Sequence, residues 1–352
     1  MSNLEKFEAE FGDAGKPLSQ MIRPAIAAPE GKTLVWGDWS AIEARVLPWL
    51  ADTHGSREVL DVFFSSDADP SLPDIYIREA AGIDGVDMLE LWERYKAEDV
   101  AANESRQSGK VAVLSLGFGG GKGALQAMAG NYGMSLTDAE AERIVQRWRS
   151  NNRWARGFWD SLWEAFQNAL ESPGSVFGAG RVALTYDPGY MRTMFMTLPD
   201  GRPLAYPGVK WSKREVENDR GEIEVKEGFI YRSGEETRGM WYGTLAENAT
   251  QAAAGSRLRE ALEVLSPAPL LDSTGREVWE ITPGVVIGHT HDEIVTECAE
   301  EHVESTGQWL GAEMLRIPGW MEGCPMAAEL TTNWYYTKSK GVGRSWKPAK
   351  QY

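Results

Sequence analysis

Cysteine and histidine are scarce. Among 352 residues there are two cysteines, Cys298 and Cys324, and four histidines, His54, His289, His291 and His302. Two thiols in a chain of this length exclude a disulfide framework and a cysteine-based zinc site, and they suit a reducing cytoplasm. Long apolar runs are missing too, and none reaches the length that spans a bilayer. The N-terminus, Met1-Ser2-Asn3-Leu4-Glu5-Lys6, lacks the basic-then-apolar layout of a signal peptide. Positive charge is in deficit, with 36 Lys and Arg against 52 Asp and Glu, a net charge of −16. Such a chain does not coat nucleic acid by bulk charge; phosphate binding requires Lys and Arg gathered in one place. Internal repeats and low-complexity linkers are absent.

What is present is globular. Hydrophobic content of 42% and charged content of 25% are ordinary values, and the length allows two or more structural units. Fifteen tryptophans are scattered along the chain and read as packing anchors. Thr33-Leu34-Val35-Trp36 reads as a strand, flanked by short helices over 5–12 and 39–51. Residues 65–73 are rich in Ser, Asp and Pro and read as a loop. From 74 to 170 the pattern is almost wholly helical. Thr137-Asp138-Ala139-Glu140 is a capping box opening a helix with Ile144 and Trp148, and a further segment carries Trp154, Phe158, Leu162 and Phe166. Residues 175–232 alternate like short strands, with turn signals at 187–189, 199–201 and 219–221. A helix over about 240–265, a hairpin around His291-Asp292 and a helix over about 301–316 complete an α+β layout.

Three strings carry the chemistry. Asp38-Trp39-Ser40-Ala41-Ile42-Glu43-Ala44-Arg45 follows the first strand. His289-Thr290-His291-Asp292-Glu293 follows Val285-Val286-Ile287. Aspartates converging from separate strand ends can hold a pair of hard divalent ions. Between these strings, Arg106 and Lys110 are spaced i,i+4 on one helix face and can grip a polyphosphate. Continuing by fours gives Leu114 and Phe118 on the same stripe. Carboxylates for metals and cations for phosphates are the equipment of a nucleotidyl transferase. Two other readings fall away. His289-Thr290-His291 looks like part of a zinc site, but His54 and His302 offer no matching spacing. Phe118-Gly119-Gly120-Gly121-Lys122-Gly123 has neither the glycine spacing nor the Ser or Thr of a P-loop; it reads as a flexible segment beside the cation helix.

These strings, in this order, resemble motifs A, B and C of family A DNA polymerases, the DNA polymerase I group. Ile22-Arg23-Pro24-Ala25 and Glu247-Asn248-Ala249-Thr250-Gln251 resemble phage and prophage members. The resemblance runs from about Phe7 to the C-terminus. It implies a palm of antiparallel sheet and helices interrupted by helical fingers: palm over 1–55, fingers over 56–174, a hairpin-rich insertion over 175–232, and palm again over 233–352. It implies two Mg²⁺ ions on Asp38 and Asp292 with the Trp39 carbonyl as a further ligand, one ion activating the primer 3′-hydroxyl and the other holding the triphosphate. Arg106 and Lys110 would grip the dNTP phosphates, with Lys110 also catalytic. Leu114 and Phe118 would meet sugar and base, and Glu43 would fill the space of a ribose 2′-hydroxyl. Gln251, Asn248, His291 and Arg45 would lie along primer-template DNA or brace the site beside it, and Glu293 would sit near the metals. Tyr76 stands where bacterial relatives carry a phosphate-contacting His.

The chain departs from the family pattern in places. Leu114 stands where Phe or Tyr is frequent, Phe118 where Tyr is usual, and Gly243 and Thr244 where a basic group is frequent. Only 37 residues precede Asp38, so the expectation is palm and fingers without thumb or exonuclease, either half of a split phage polymerase completed by a separate thumb/exonuclease polypeptide or a truncated, processed fragment. The expected setting is the cytoplasm of a phage-infected or lysogenic bacterium. The alternative is a non-catalytic fragment, a prophage remnant that binds DNA or a partner.

Overall fold

A computed structural model of the chain describes residues 21–217, 223–267, 282–338 and 342–348, together with 6, 7, 10, 12, 270, 271 and 276–278. The helix expected over 5–12 lies largely, and the turn over 219–221 wholly, outside the described residues. The chain divides into two compact units. The first comprises 1–40, 257–316 and 326–352; the second comprises 41–256 and 317–325.

The first unit is built on a five-stranded antiparallel sheet. Its strands are β1 (Lys32–Trp39), β11 (Val285–Thr290), β12 (Glu293–Ala299), β13 (Ala328–Asn333) and β14 (Arg344–Trp346), in the order β11-β12-β1-β13-β14. β1 is central, and its unbroken apolar run fits a strand covered on both faces; Leu34 and Val35 are fully buried. Helix α10 (Val303–Leu315) packs on β1, β12 and β13. The close fit depends on Gly37, where a β-carbon would collide with the Met314 sulfur. The Trp39 indole donates to the Met314 carbonyl at 2.8 Å. The Arg257 guanidinium lies 5.4 Å over the same indole and pairs with Glu313, both deeply buried. A two-residue pairing of β9 (Leu270–Leu271) with β10 (Glu277–Val278) lies in the same unit.

The second unit holds eight successive helices. They are α1 (Ile42–Ala51), α2 (His54–Ala68), α3 (Ile75–Asp84), α4 (Met88–Lys96), α5 (Val100–Leu116), α6 (Lys122–Asn131), α7 (Asp138–Asn151) and α8 (Arg153–Glu171). In α8, Ala155, Phe158, Trp159, Leu162, Ala165, Phe166 and Ala169 are buried at three- and four-residue spacing, the face that the sequence shows. The Thr137–Glu140 capping box starts α7 as expected. The 65–73 loop is shorter than expected. Reciprocal Thr53–Ser56 capping starts α2, and its buried Val59, Leu60 and Phe63 carry it through to Ala68. The helix expected from 39 begins at Ile42, because the β1 ladder extends to Trp39, opposite Ala328.

Two antiparallel sheets follow. One joins β2 (Val176–Ala179), β3 (Val182–Asp187), β4 (Thr193–Thr197) and β5 (Pro203–Tyr206); the other joins β6 (Lys210–Glu217), β7 (Ile223–Ser233) and β8 (Glu236–Met240). Helix α9 (Tyr242–Leu265) then starts in the second unit and ends in the first. Among the tryptophans, Trp36, Trp39, Trp49, Trp148 and Trp159 are buried anchors, whereas Trp211, Trp241 and Trp334 are exposed. Among the described residues, no helix is long and apolar enough to cross a membrane.

Candidate active site

Antiparallel pairing decides which acids meet in the first unit. The β1–β12 register sets Asp38 opposite Glu293, and the Trp39 amide donates to the Asp292 carbonyl at 3.1 Å. Asp292 belongs to the tight turn between β11 and β12, in which Thr290 pairs with Glu293. His291, the first turn residue, has φ of 54°, a left-handed conformation that costs an L-residue about 1–2 kcal/mol. Burial, and then the neighbouring Asp38 charge, raise the Asp292 pKa above that of an ordinary aspartate. Two like charges on adjacent strand ends favour a proton or a cation between them.

A cation is already there. Lys338 Nζ lies 2.8 Å from Asp38 Oδ2 and 3.0 Å from Glu293 Oε1. Its own pKa is raised, since the contacts with Asp38 and Glu293 outweigh desolvation, which pushes it down. Glu293 is almost wholly buried; its Oε2 accepts from the Tyr336 hydroxyl at 2.6 Å and lies 3.5 Å from Arg23 Nη2. The Arg23 guanidinium sits 5.2 Å over the Tyr336 ring. Burial, followed by the bond to Glu293, raises the Tyr336 pKa. Asp38, Glu293, Glu329, Thr331 and Lys338 line a depression of about 1060 Å³, open solvent included.

These donors suit a hard cation: carboxylate oxygens, like-charge strain, and an ammonium drawn onto them. Among the described residues, no group of three or more His, Cys, Asp or Glu side chains is placed to hold a metal by itself. Further ligands would have to be water, backbone or substrate oxygens. Trp39, expected to supply one, is fixed by its strand pairing and its indole bond. His289 and His291 are both exposed and form no such cluster.

In the second unit Arg106 and Lys110 stand one turn apart on α5, whose first turn Asp99 caps. Arg106 is bound through Nε and Nη2 to Asp74 Oδ2, the Nε distance being 3.0 Å. Its guanidinium lies 5.2 Å from the Tyr76 ring centroid and 5.0 Å from that of Tyr95. Lys110 Nζ lies 5.0 Å from the Tyr132 ring and 5.9 Å from the Tyr76 ring. The Arg106 pKa is raised: burial lowers it, but the bonds and charge of Asp74 prevail. Tyr76 is raised by burial and then by the Asp74 charge.

Glu43 from α1 lines one cavity with Leu114 on α5 and Phe118 in the turn that follows it, beside Trp148 and Trp154; the helical stripe expected to run to Phe118 ends with the helix at Leu116. Its volume is about 490 Å³, mouth included. Glu43 and Leu114, 71 positions apart in sequence, thus line one cavity, although neither periodicity predicts it. The chain enters α1 through Ala41 at φ of 52°, a strained position directly after β1 and Ser40.

The expectation that Arg45 contacts DNA is corrected. Arg45 is 4% exposed, and its fork binds Asp67 at 2.6 and 2.9 Å. It also stacks 4.3 Å over Phe63 and reaches the Pro325 carbonyl. A guanidinium buried in this way braces α1 against α2 and offers no donor to a duplex. Asn248 on α9 is half-buried and donates to the Tyr206 hydroxyl at 3.3 Å, while Gln251 is exposed. Lys122, read as part of a flexible segment, begins α6 and pairs with Asp138 at 2.6 Å.

Sequence reasoning missed Asp74, Tyr95, Tyr132, Tyr336 and Lys338. Asp74 could have been found as a helix N-cap before Ile75. The others carry no local signal, because their meaning lies in partners distant along the chain.

No family model matches the chain. It is 30% identical, over 344 residues, to the DNA polymerase of Bacillus phage SP02, which covers 96% of this chain and 46% of that protein. The fold is similar to that of the POL domain of Pol1 from M. smegmatis, solved in complex with DNA primer-template and dNTP. The TM-score is 0.52 at 15% identity, covering 91% of this chain and 43% of that one. The chain spans about half the length of either relative. Similarity to a DNA polymerase therefore extends over almost the whole chain, and the α+β fold is similar to that of a polymerase domain.

Proposed function

We propose that this chain is the catalytic module of a phage DNA polymerase, adding dNTPs to a primer 3′-hydroxyl as directed by a template. The observation that carries this reading is the strand pairing that brings Asp38, near the end of β1, beside the half-buried Asp292 in the turn before β12. Similarity to a phage DNA polymerase over 96% of the chain supports it. In this reading the first unit is palm, most of the second is fingers, and the sheets β2–β5 and β6–β8 are the hairpin-rich insertion.

Asp38 and Asp292 would hold two Mg²⁺ ions, which when bound supply charge neutralisation and an acidified hydroxyl for phosphoryl transfer. Arg106 and Lys110 offer N–H donors to the triphosphate, and Leu114 and Phe118 offer apolar surface to sugar and base. Glu43 denies space to a 2′-hydroxyl. Gln251 and Asn248 would check minor-groove acceptors, which are degenerate among base pairs, and His291 would neighbour the primer end. The separate thumb and exonuclease polypeptide stays part of the proposal; a chain with few cations to hold DNA is expected to extend distributively until such a partner raises the local concentration of primer ends.

Primer extension with Mg²⁺ tests the reading. The chain should extend a labelled primer, alone or with that partner. Asp38→Asn and Asp292→Asn should each reduce the rate by about 100-fold or more, the scale of several kcal/mol of lost charge stabilisation, with circular dichroism unchanged. Near-normal extension by either variant overturns the assignment. Extension by neither wild type nor complex favours the non-catalytic fragment.

A further inference from the structure

Asp74 is the acid that holds Arg106 in this structure. It divides its carboxylate between two tasks. Oδ1 accepts from the Ile77 amide at 2.9 Å and caps α3; Oδ2 accepts both Nε and Nη2 of Arg106. The two tasks use different oxygens, so losing one leaves the other intact.

The arrangement is rigid. At Gly109, between Arg106 and Lys110 on α5, a β-carbon would run into the Tyr76 carbonyl oxygen and lie 2.8 Å from the Ala80 amide nitrogen. Helices α3 and α5 therefore touch backbone to backbone, and the first turn of α3 is pinned against Arg106. The guanidinium is bracketed by the rings of Tyr76 and Tyr95. Arg106 and Asp74 are 24% and 29% exposed, so water screens the pair less than a surface salt bridge.

We propose that Asp74 is a built-in competitor for the triphosphate on Arg106, holding the guanidinium in the nucleotide-free chain so that the nucleotide must displace it. This rests on the reading of Arg106 as a triphosphate-gripping residue. A multiply charged phosphate chain offers Arg106 more acceptor charge than one carboxylate does, so it wins the exchange. A weakly charged anion does not. When Arg106 leaves, Asp74 keeps its cap on α3 and adds a repelling charge near the phosphates. Asp74 thus acts through Arg106 as a positioning residue; it lowers nucleotide affinity and favours triphosphates over less charged anions.

Inorganic tripolyphosphate, titrated into the full chain by calorimetry, gives a readout independent of turnover; steady-state KM for dNTP gives a second. Asp74→Asn keeps an oxygen for the cap and removes the anion. It should tighten tripolyphosphate and lower the dNTP KM about three- to tenfold, the scale of one partly screened ion pair, with kcat little changed. Asp74→Ser, a second uncharged N-cap, should do the same and decides the matter if the Asn variant folds poorly. In an Arg106→Ala background, Asp74→Asn should have no effect. If Arg106→Ala weakens tripolyphosphate but both Asp74 variants leave it unchanged or weaker, Asp74 is a brace and the competitor proposal is overturned. If Arg106→Ala itself leaves tripolyphosphate binding unchanged, the triphosphate role of Arg106 fails, and this proposal fails with it.

Discussion

The two units treat their candidate groups in mirror fashion. In the first, acids are covered by a cation: Lys338 bridges Asp38 and Glu293. In the second, a cation is covered by an acid: Asp74 grips Arg106. The supports differ as well. The acids sit at strand ends fixed by a ladder of backbone bonds, and burial, then the Asp38 charge, raises the Asp292 pKa. The cations sit on a helix face and are steadied by aromatic rings. These half-buried charges are satisfied internally by their opposites, because a charge partly withdrawn from water and left unpaired is unfavourable. In the function proposed above, a ligand would exchange partners at each site.

Ways to break this comparison differ in size. After the loss of about 100-fold or more expected at Asp38 and Asp292, the next effect is expected on the helix. Arg106→Ala or Lys110→Ala should raise the dNTP KM roughly 10- to 150-fold, since charge-assisted phosphate bonds contribute roughly 1.5–3 kcal/mol each. Steady-state kinetics at saturating DNA checks this. Lost primer-template affinity with an unchanged dNTP dependence would move the pair to the duplex. Next comes Glu43→Ala, which should raise rNTP incorporation relative to dNTP by about tenfold or more, a steric discrimination of the usual pocket scale. An unchanged ratio, measured with one rNTP against its dNTP, would take Glu43 out of the gate role.

Smaller effects are expected at Lys338 and in the pH dependence of stability. Lys338→Met keeps the length of the stem and removes the ammonium. It should tighten Mn²⁺ binding about three- to tenfold by electron paramagnetic resonance titration, because the ion no longer competes with a resident charge. Weaker binding would mean that Lys338 orients the carboxylates for the ion. The smallest effect is on stability. Asp292 has a folded pKa above its unfolded value, so the native chain retains a proton that the unfolded chain releases. Without divalent ions, stability should fall as pH rises from the ordinary aspartate range through the higher folded pKa. Asp292→Asn should flatten that slope, and urea titrations across that range would show it.

The sequence by itself determined much of this protein. Strict short-range rules placed the capping box at Thr137, the buried strand at Leu34 and Val35, and the helical stripe of Arg106, Lys110 and Leu114, since each is read within a few turns or one strand; Phe118, expected to continue that stripe, lies in the turn after the helix ends at Leu116. The three motif strings named both aspartates and both cations. Only the tertiary structure decided what those groups touch. Lys338 reaches Asp38 across 300 positions, and Asp74 reaches Arg106 across 32. Arg45 has the charge of a DNA-binding residue, yet its burial with Asp67 and Phe63 makes it a brace. Local sequence fixes backbone hydrogen bonding and which face is apolar. Which charge neutralises which depends on strand register and on the close approach that Gly109 permits, and neither is written in a residue's own neighbourhood.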